Sequence, residues 1–420
     1  MVRFLYTALL WLFLPLLWLR LAIRSRRQPE YLQHLGERFG FYPFPEVSGE
    51  GVIWLHAVSV GETRATVSLI AGLRSRYPDY QILLTHSTPT GRATSEQLYG
   101  DDVLRVYLPY DYLFAVRRFF RHFRPKIGIL METEIWFNLI HEGHAARVPL
   151  LLLNARLSEK SAKGYARFAR LTGSALRSLD AIAAQTPDDA ARLTRLGARN
   201  VSVMGNLKFD IVPPPAMLAV GRILHADWGS TRQIVLAAST REGEEALLLD
   251  AWQATAVPAL LVIVPRHPQR FDEVAGMLVK RGLRYQRRSE GGVVAPDVQV
   301  LLGDSMGEMF AYYAAADLAY IGGSLLPLGG QNLIEACAVG TPVLIGLHAF
   351  NFAEATRLAI EAGAAVRVGD AAELVQIAQR LLADPAALSV MRVQGMNFVS
   401  AHRGATDKAM SVIATVLGVT

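Results

Sequence analysis

The chain has 420 residues, 51% of them hydrophobic, with 34 glycines and 20 prolines, which suits a globular α/β protein of two domains and excludes both disorder and one ordinary core. Its formal charge of +6 does not point to nucleic acid, because the excess is N-terminal: within residues 1–40, Arg3, Arg20, Arg24, Arg26, Arg27 and Arg38 face only Glu30 and Glu37. Cys337 is the single cysteine, so an internal disulfide is excluded, and the absence of C-x-x-C or a His pair at ligand spacing argues against a structural zinc site.

In chain order, the first element is "FLYTALLWLFLPLLWLRLAI", residues 4–23. Its length is what a helix needs to cross a bilayer core. Tyr6, Trp11 and Trp18 suit the interfaces, and Pro15 is tolerable in a membrane helix. Arg20, Arg24, Arg26 and Arg27 follow, so the positive-inside rule places everything downstream in the cytoplasm. No small-residue cleavage site follows, which argues against a signal peptide. Arg20 interrupts the stretch, so a span and a helix lying in the membrane surface both remain open. Residues 1–27 are therefore expected to be an anchor, and no second apolar stretch is long enough to span.

From residue 28 to 212 the pattern is a parallel sheet covered by helices, with strands at "GVIWLHAV", "QILLTHS", "VLRVYLP", "KIGILME", "PLLLLNAR", "AIAAQT" and "VSVMGN". Ligands of such sheets bind beyond the carboxyl ends of the strands. After the first strand comes Ser59-Val60-Gly61 and then Glu62, a carboxylate at a helix start where a phosphate would otherwise sit. The helix dipole favours its ionised form, the state a general base needs. "METEIWFN" puts Glu132 and Glu134 after another strand, with Ile135-Trp136-Phe137 opening a helix. "NARLSEKSAKGY" and "GNLKFD" add Arg156, Ser158, Lys163 and Lys208 at similar rim positions, suiting an anionic sugar or lipid headgroup. "AVRRFFRHFRPK" interleaves Arg and Phe, and is read either as a face resting on anionic lipid or as an ordinary amphipathic helix.

Pro213 to Pro215 read as a stiff linker into a second domain, residues 213–420, whose last helix can pack back on the first. Its strands are "QIVLAAST", "ALLVIVPR", "VQVLLGD", "LAYIGG", "PVLIG" and "AAVRV". "IGGSLLPLGGQNLIEACAVG" sets Gly322, Gly323, Gly329 and Gly330 between a strand and a helix expected near Gln331, a phosphate-friendly arrangement. Asn332 and Glu335 share a face there, so Glu335 can meet ribose hydroxyls or simply cap the helix. Arg266 ends a strand beside His267, Met306-Gly307-Glu308 opens a helix, and Ser239 and Thr240 are candidate oxyanion contacts. No D-x-D occurs, which counts against a metal-held diphosphate donor but not against a monophosphate one.

Together, "HAVSVGE", "METEIW-N", "NARLS", "G-LKFD", "S-REGEE", "VPRHP-RF", "GD-MGEM", "GGS" and "N-IEA" resemble, in order and over nearly the whole chain, the motif series of the 3-deoxy-D-manno-octulosonic acid (Kdo) transferases of Gram-negative bacteria. The resemblance implies a GT-B glycosyltransferase of two Rossmann-like domains facing a central cleft, tethered to the cytoplasmic face of the inner membrane. It implies transfer of Kdo from CMP-Kdo to the lipid A precursor with inversion, without a metal or other cofactor; the alternatives are another GT-B-like nucleotide-sugar enzyme, such as a UDP-sugar transferase or epimerase, and a non-catalytic membrane-tethered nucleotide-binding protein. Its partners would be CMP-Kdo, the lipid A precursor and anionic inner-membrane lipids, with no nucleic acid. Glu62 is similar to the family's proton acceptor. CMP contacts would fall on Pro265, Arg266, Met306, Gly307, Glu308, Asn332, Leu333, Ile334 and Glu335. Ser59, Gly61, Glu134, Arg156 and Lys208 would meet Kdo or the acceptor. Phe137 departs from the proline often found after the tryptophan.

Overall fold

The computed structural model describes residues 2–26, 28–43, 51–229 and 232–418; Arg27 of the basic cluster lies outside them. The chain divides into two compact units, Met1–Asp210 joined by Arg403–Thr420, and Ile211–His402.

The first unit carries a seven-stranded parallel sheet formed by the seven apolar runs expected there. Its strands are β1 (Val52–His56), β2 (Gln81–His86), β3 (Leu104–Tyr107), β4 (Ile127–Met131), β5 (Leu150–Ala155), β6 (Ala181–Ala184) and β7 (Val201–Val203). They lie in the order β3-β2-β1-β4-β5-β6-β7. Every position of β1, β4 and β5 is buried, as expected of central strands covered by helices on both faces. The chain winds outward in both directions from β1 and β4, so the crevice of the sheet opens beyond the ends of those two strands.

On one face Trp54 meets Phe119 edge-on at 4.8 Å, with Phe120 and Phe123 beside them. This accounts for the Arg/Phe stretch: in the helix Leu113–Phe123 the phenylalanines are core, while Arg117 turns out to pair with Glu142 at 2.7 Å. The aromatic half is therefore taken by the protein itself, as in an ordinary amphipathic helix. On the other face, Leu69, Ile70 and Leu73 of helix Val67–Arg76 pack with Met410 and Ile413 of the helix Ala405–Leu417. The Asp210 carboxylate fastens this last helix by accepting the Gly404 and Thr406 amides.

The N-terminal stretch is not one helix. It forms α1 (Val2–Leu12) and α2 (Leu14–Ser25), bent by 49° where Pro15 removes an amide and crowds the preceding turn. Among the described residues no single helix is long and apolar enough to cross a membrane; the bent pair passes that test together by length and composition. Polar contacts hold α1 against its own unit: Tyr6 Oη donates to Asp111 Oδ2 at 2.8 Å, Arg3 pairs with Glu142 at 3.3 Å, and Tyr112 Oη donates to the Leu10 carbonyl at 2.9 Å. The opposite side leaves Phe4, Leu5, Leu9, Leu12, Phe13, Leu16, Leu19 and Ile23 exposed.

The second unit has its own parallel sheet of β8 (Gln233–Thr240), β9 (Ala259–Pro265), β10 (Tyr285–Arg287), β11 (Val300–Leu302), β12 (Leu318–Ile321), β13 (Val343–Ile345) and β14 (Ala365–Arg367). The order is β10-β11-β9-β8-β12-β13-β14, with the switch between β8 and β12. Sequence patterning missed β10, because "YQR" is a short polar edge strand with no apolar run. The proline linker is also shorter than expected. Pro215 is the first residue of the helix Pro215–Gly229, a position where its missing amide costs nothing.

Candidate active site

At the crevice of the first sheet, the loop after β1 turns into the short helix Val60–Ala65. Ser59 caps it, accepting the Glu62 amide at 3.4 Å. The Glu62 carboxylate folds back into this turn: Oε2 accepts the Val58 amide at 2.9 Å and Oε1 accepts the Ser59 hydroxyl at 3.0 Å. The helix start was expected to favour the ionised form, and in the structure the hydrogen bonds from Val58 and Ser59 pull in that direction. Burial outweighs them, the Glu132 carboxylate adds repulsion, and the Glu62 pKa is pushed up to about 7. A six-residue helix has little dipole to set against that loss of solvent. A Cβ at Gly61 would meet only Ser59 Oγ, at 4.0 Å, so packing does not itself demand glycine there.

The loop after β4 supplies the opposite side of the crevice. Glu132 adopts a left-handed backbone, φ +56°, and pairs with Lys208 Nζ at 2.9 Å. Its carbonyl accepts the Arg156 amide at 3.4 Å, and Thr133 Oγ1 donates to the Arg156 carbonyl at 2.8 Å. Glu134 Oε2 accepts Trp136 Nε1 at 2.6 Å and lies 3.7 Å from His56 Nε2. The structure thus gathers Ser59, Gly61, Glu62, Glu134, Arg156 and Lys208 at one end of one sheet. Ser158 instead caps the helix Glu159–Ala166, on whose exposed side Lys163 stands.

Two members of this site escaped the sequence reading. His56 is the last residue of β1, fully buried, and its Nδ1 lies 2.9 Å from Thr85 Oγ1. Glu132 was noticed but given no role. Position at a strand's carboxyl end was the available signal for both. Behind them His86 is held neutral, its pKa lowered to about 3 by burial.

In the second unit the candidate donor residues also sit at strand ends. Pro265 closes β9, and the Arg266 amide donates to the Thr240 carbonyl at 2.9 Å. Glu308 precedes the helix Met309–Ala315, where its carboxylate pairs with Arg288 at 3.2 Å and accepts Ser305 Oγ at 2.5 Å. Met306 is exposed beside Gly307, whose φ of +82° needs glycine. Asn332 Nδ2 donates to Glu335 Oε1 at 3.1 Å while Asn332 Oδ1 accepts the Ile334 amide at 3.0 Å. The helix therefore starts at Ile334, three residues beyond the expected point. Buried Tyr313 feels both Glu335 and Arg266, the first raising and the second lowering its pKa, so these two charges belong to one neighbourhood.

Some expected contacts are otherwise engaged. Leu333 and Ile334 are fully buried, leaving only their backbone for a ligand. The Gly330 and Gln331 amides are spent on the carbonyls of Gly323, at 2.7 Å, and Gly322, at 3.0 Å. Thr240 is buried and donates to Glu245 at 2.8 Å, part of a cluster with Arg270. A further residue went unrecognised: buried Glu244 accepts Tyr320 Oη at 2.6 Å and the amides of Arg241 at 2.9 Å, Gly323 at 2.6 Å and Leu325 at 3.1 Å. It ties the loop after β8 to the loop after β12. Cys337 is buried and its thiol is pushed up to about 12, so it is an inert packing residue. Among the described residues no cluster of ligating side chains suits a metal ion.

Residues 33–211 match the family model described as 3-deoxy-D-manno-octulosonic-acid transferase (kdotransferase). The chain is 44% identical to a 3-deoxy-D-manno-octulosonic acid transferase of Bordetella pertussis, with all of both chains covered. It is 35% identical to the Haemophilus influenzae transferase of that name, over 99% of each chain. Among solved structures, a glycosyltransferase from Rickettsia africae superimposes with a TM-score of 0.59 at 12% identity, covering 88% of this chain and 99% of that one, a likeness of fold. Two parallel-sheet α/β units of this kind resemble the GT-B glycosyltransferases. With such identity sustained from end to end, the chain belongs to the 3-deoxy-D-manno-octulosonic acid transferases, and is a glycosyltransferase.

Proposed function

We propose that the protein moves Kdo from CMP-Kdo to the lipid A precursor at the cytoplasmic face of the inner membrane, with inversion and without a metal, and that Glu62 is the general base. The observation that carries the chemical part is the Glu62 carboxyl, anchored by Val58 and Ser59 and pushed up to about 7. A carboxylate of ordinary acidity is a feeble base, whereas one poised near 7 is both ionised and basic enough at neutral pH. Glu62 takes the proton of the attacking sugar hydroxyl as its oxygen bonds to the anomeric carbon of Kdo. The bond from that carbon to the CMP phosphate breaks on the opposite face, which inverts the centre, and CMP leaves as the anion.

Arg266 is the cation suited to the departing phosphate, with Met306, Gly307, Glu308, Asn332 and Glu335 meeting the nucleoside, and Pro265, Leu333 and Ile334 contributing through their backbone. Arg156, Lys208 and Glu134 meet Kdo or the acceptor sugar. The exposed apolar sides of α1 and α2 support attachment to the membrane surface, with Arg20, Arg24 and Arg26 toward anionic headgroups. The test is incubation of the purified full chain with CMP-Kdo and tetraacylated lipid A precursor, read by mass spectrometry. Product heavier by one or more Kdo residues is expected. Unchanged lipid, or transfer from a UDP-sugar instead, would refute the assignment.

A further inference from the structure

A cavity in the first unit, lined in part by Val58 and Glu134, extends the candidate site on the side of the N-terminal helix. It holds about 200 Å³. One wall is α2, which presents Leu17, Arg20, Leu21 and Arg24, spaced three and four apart and so on a single helical face. The far wall includes Val58, whose amide holds Glu62, and Glu134. The cavity therefore joins the N-terminal helix to Val58, the residue whose amide holds the candidate base Glu62.

Its floor is Arg38. Arg38 is only 3% exposed, yet its Nε and Nη2 find no hydrogen-bond acceptor among the described residues. Nη1 donates to the Ser87 carbonyl at 3.1 Å, and the guanidinium lies 3.8 Å from the centre of the Tyr107 ring. The neighbouring carboxylate does not neutralise it, because Glu37 is bound to Arg92 at 2.6 Å and to the Tyr107 amide at 2.7 Å. The side chains of Tyr107 and Tyr110 interact with the guanidinium but supply no negative charge, and a buried cation is costly unless an anion completes it. Arg20 and Arg24 line the same cavity, against the single carboxylate of Glu134, which is taken up by Trp136 and faces His56. Three guanidinium groups fit a phosphate, and the leucines beside them fit hydrocarbon.

We infer that the cavity lined by Arg20, Arg24 and Arg38 binds a phosphate group of the amphiphilic acceptor, so that the N-terminal helix α2 is a wall of the acceptor site as well as an anchor. This rests on the acceptor reading above, and it gives that acceptor a second point of attachment, which orients one hydroxyl toward Glu62. A lipid phosphate can come from the acceptor glycolipid or from the surrounding phospholipid; the assignment here is the glycolipid.

The test reads binding without turnover, so that failure of transfer bears on the proposed reaction and not on this site. Full-length protein in neutral detergent micelles is titrated with tetraacylated lipid A precursor carrying its phosphates, and with the same lipid after phosphatase treatment. The phosphorylated lipid should bind about tenfold tighter or better, as expected for charge-assisted contacts. Arg38→Gln should abolish that preference. Because Arg38 is buried, the double variant Arg20→Gln/Arg24→Gln, whose side chains are exposed, is measured beside it and should reduce the preference while melting as wild type does. Equal binding of the two lipids by the wild-type chain, or an undiminished preference in the double variant, would overturn the assignment. So would displacement of the glycolipid by an equal concentration of phosphatidylglycerol or of inorganic phosphate.

Discussion

Glu62 is governed by opposing influences that can be altered one at a time. Burial and Glu132 raise its pKa, while the Val58 amide, His56 and Ser59 lower it, and the balance settles at about 7. A base must be deprotonated, so kcat/KM should rise with pH through that value and level off above it. Glu132→Gln removes the repelling charge, which favours ionised Glu62. The acid limb of the pH–rate profile should then move down by about one unit. A limb that stays in place, or moves up, would show that another group controls it. Little of this balance was legible in the sequence. The motif placed Glu62 at a helix start, but the weight of burial and of a charge contributed from β4, some seventy residues on, emerges only when the chain is folded.

At the scale of elements, the strand ends do most of the work. In the second unit the end of β8 and the loop after β12 touch at the switch point so closely that a Cβ on Gly322 would lie 2.5 Å from the Ser239 carbonyl oxygen. Glu244 holds them together through three backbone amides and Tyr320. Glu244→Ala leaves those buried donors unpaired, and should cost at least about 3 kcal/mol. Scanning calorimetry should show a lower melting temperature, with weakened CMP binding; an unshifted transition would contradict the role. Apolar runs and Gly/Pro punctuation were enough to expect thirteen of the fourteen strands among the described residues, since a doubly covered parallel sheet writes itself as continuous hydrophobic stretches. Glu244 was illegible for the opposite reason: its partners lie 76 to 81 residues away for Tyr320, Gly323 and Leu325, and an acidic residue at a helix start reads as a local cap. Leu333 and Ile334 show the reverse case, where a motif was legible but the side chains within it are core.

For the whole molecule, the chain falls into two compact units, with Arg403–Thr420 belonging to the first, and the N-terminal segment was the part least legible in the sequence. Composition gave length and hydrophobicity, whereas the bend at Pro15 and the polar contacts of Tyr6 and Arg3 decide how the segment lies. Its exposed apolar side should make the full chain float with vesicles containing anionic phospholipid. The triple variant Leu9→Glu/Phe13→Glu/Leu16→Glu should remain in the soluble fraction, and flotation of that variant undiminished would rule out this face as the contact. The proposed transfer turns on the Glu62 carboxyl group. The most direct test is therefore Glu62→Gln, an isostere that keeps the turn's shape, assayed for CMP binding and for Kdo transfer side by side. Loss of nearly all turnover with CMP affinity unchanged is the predicted result; transfer at the wild-type rate would show that Glu62 is not the base.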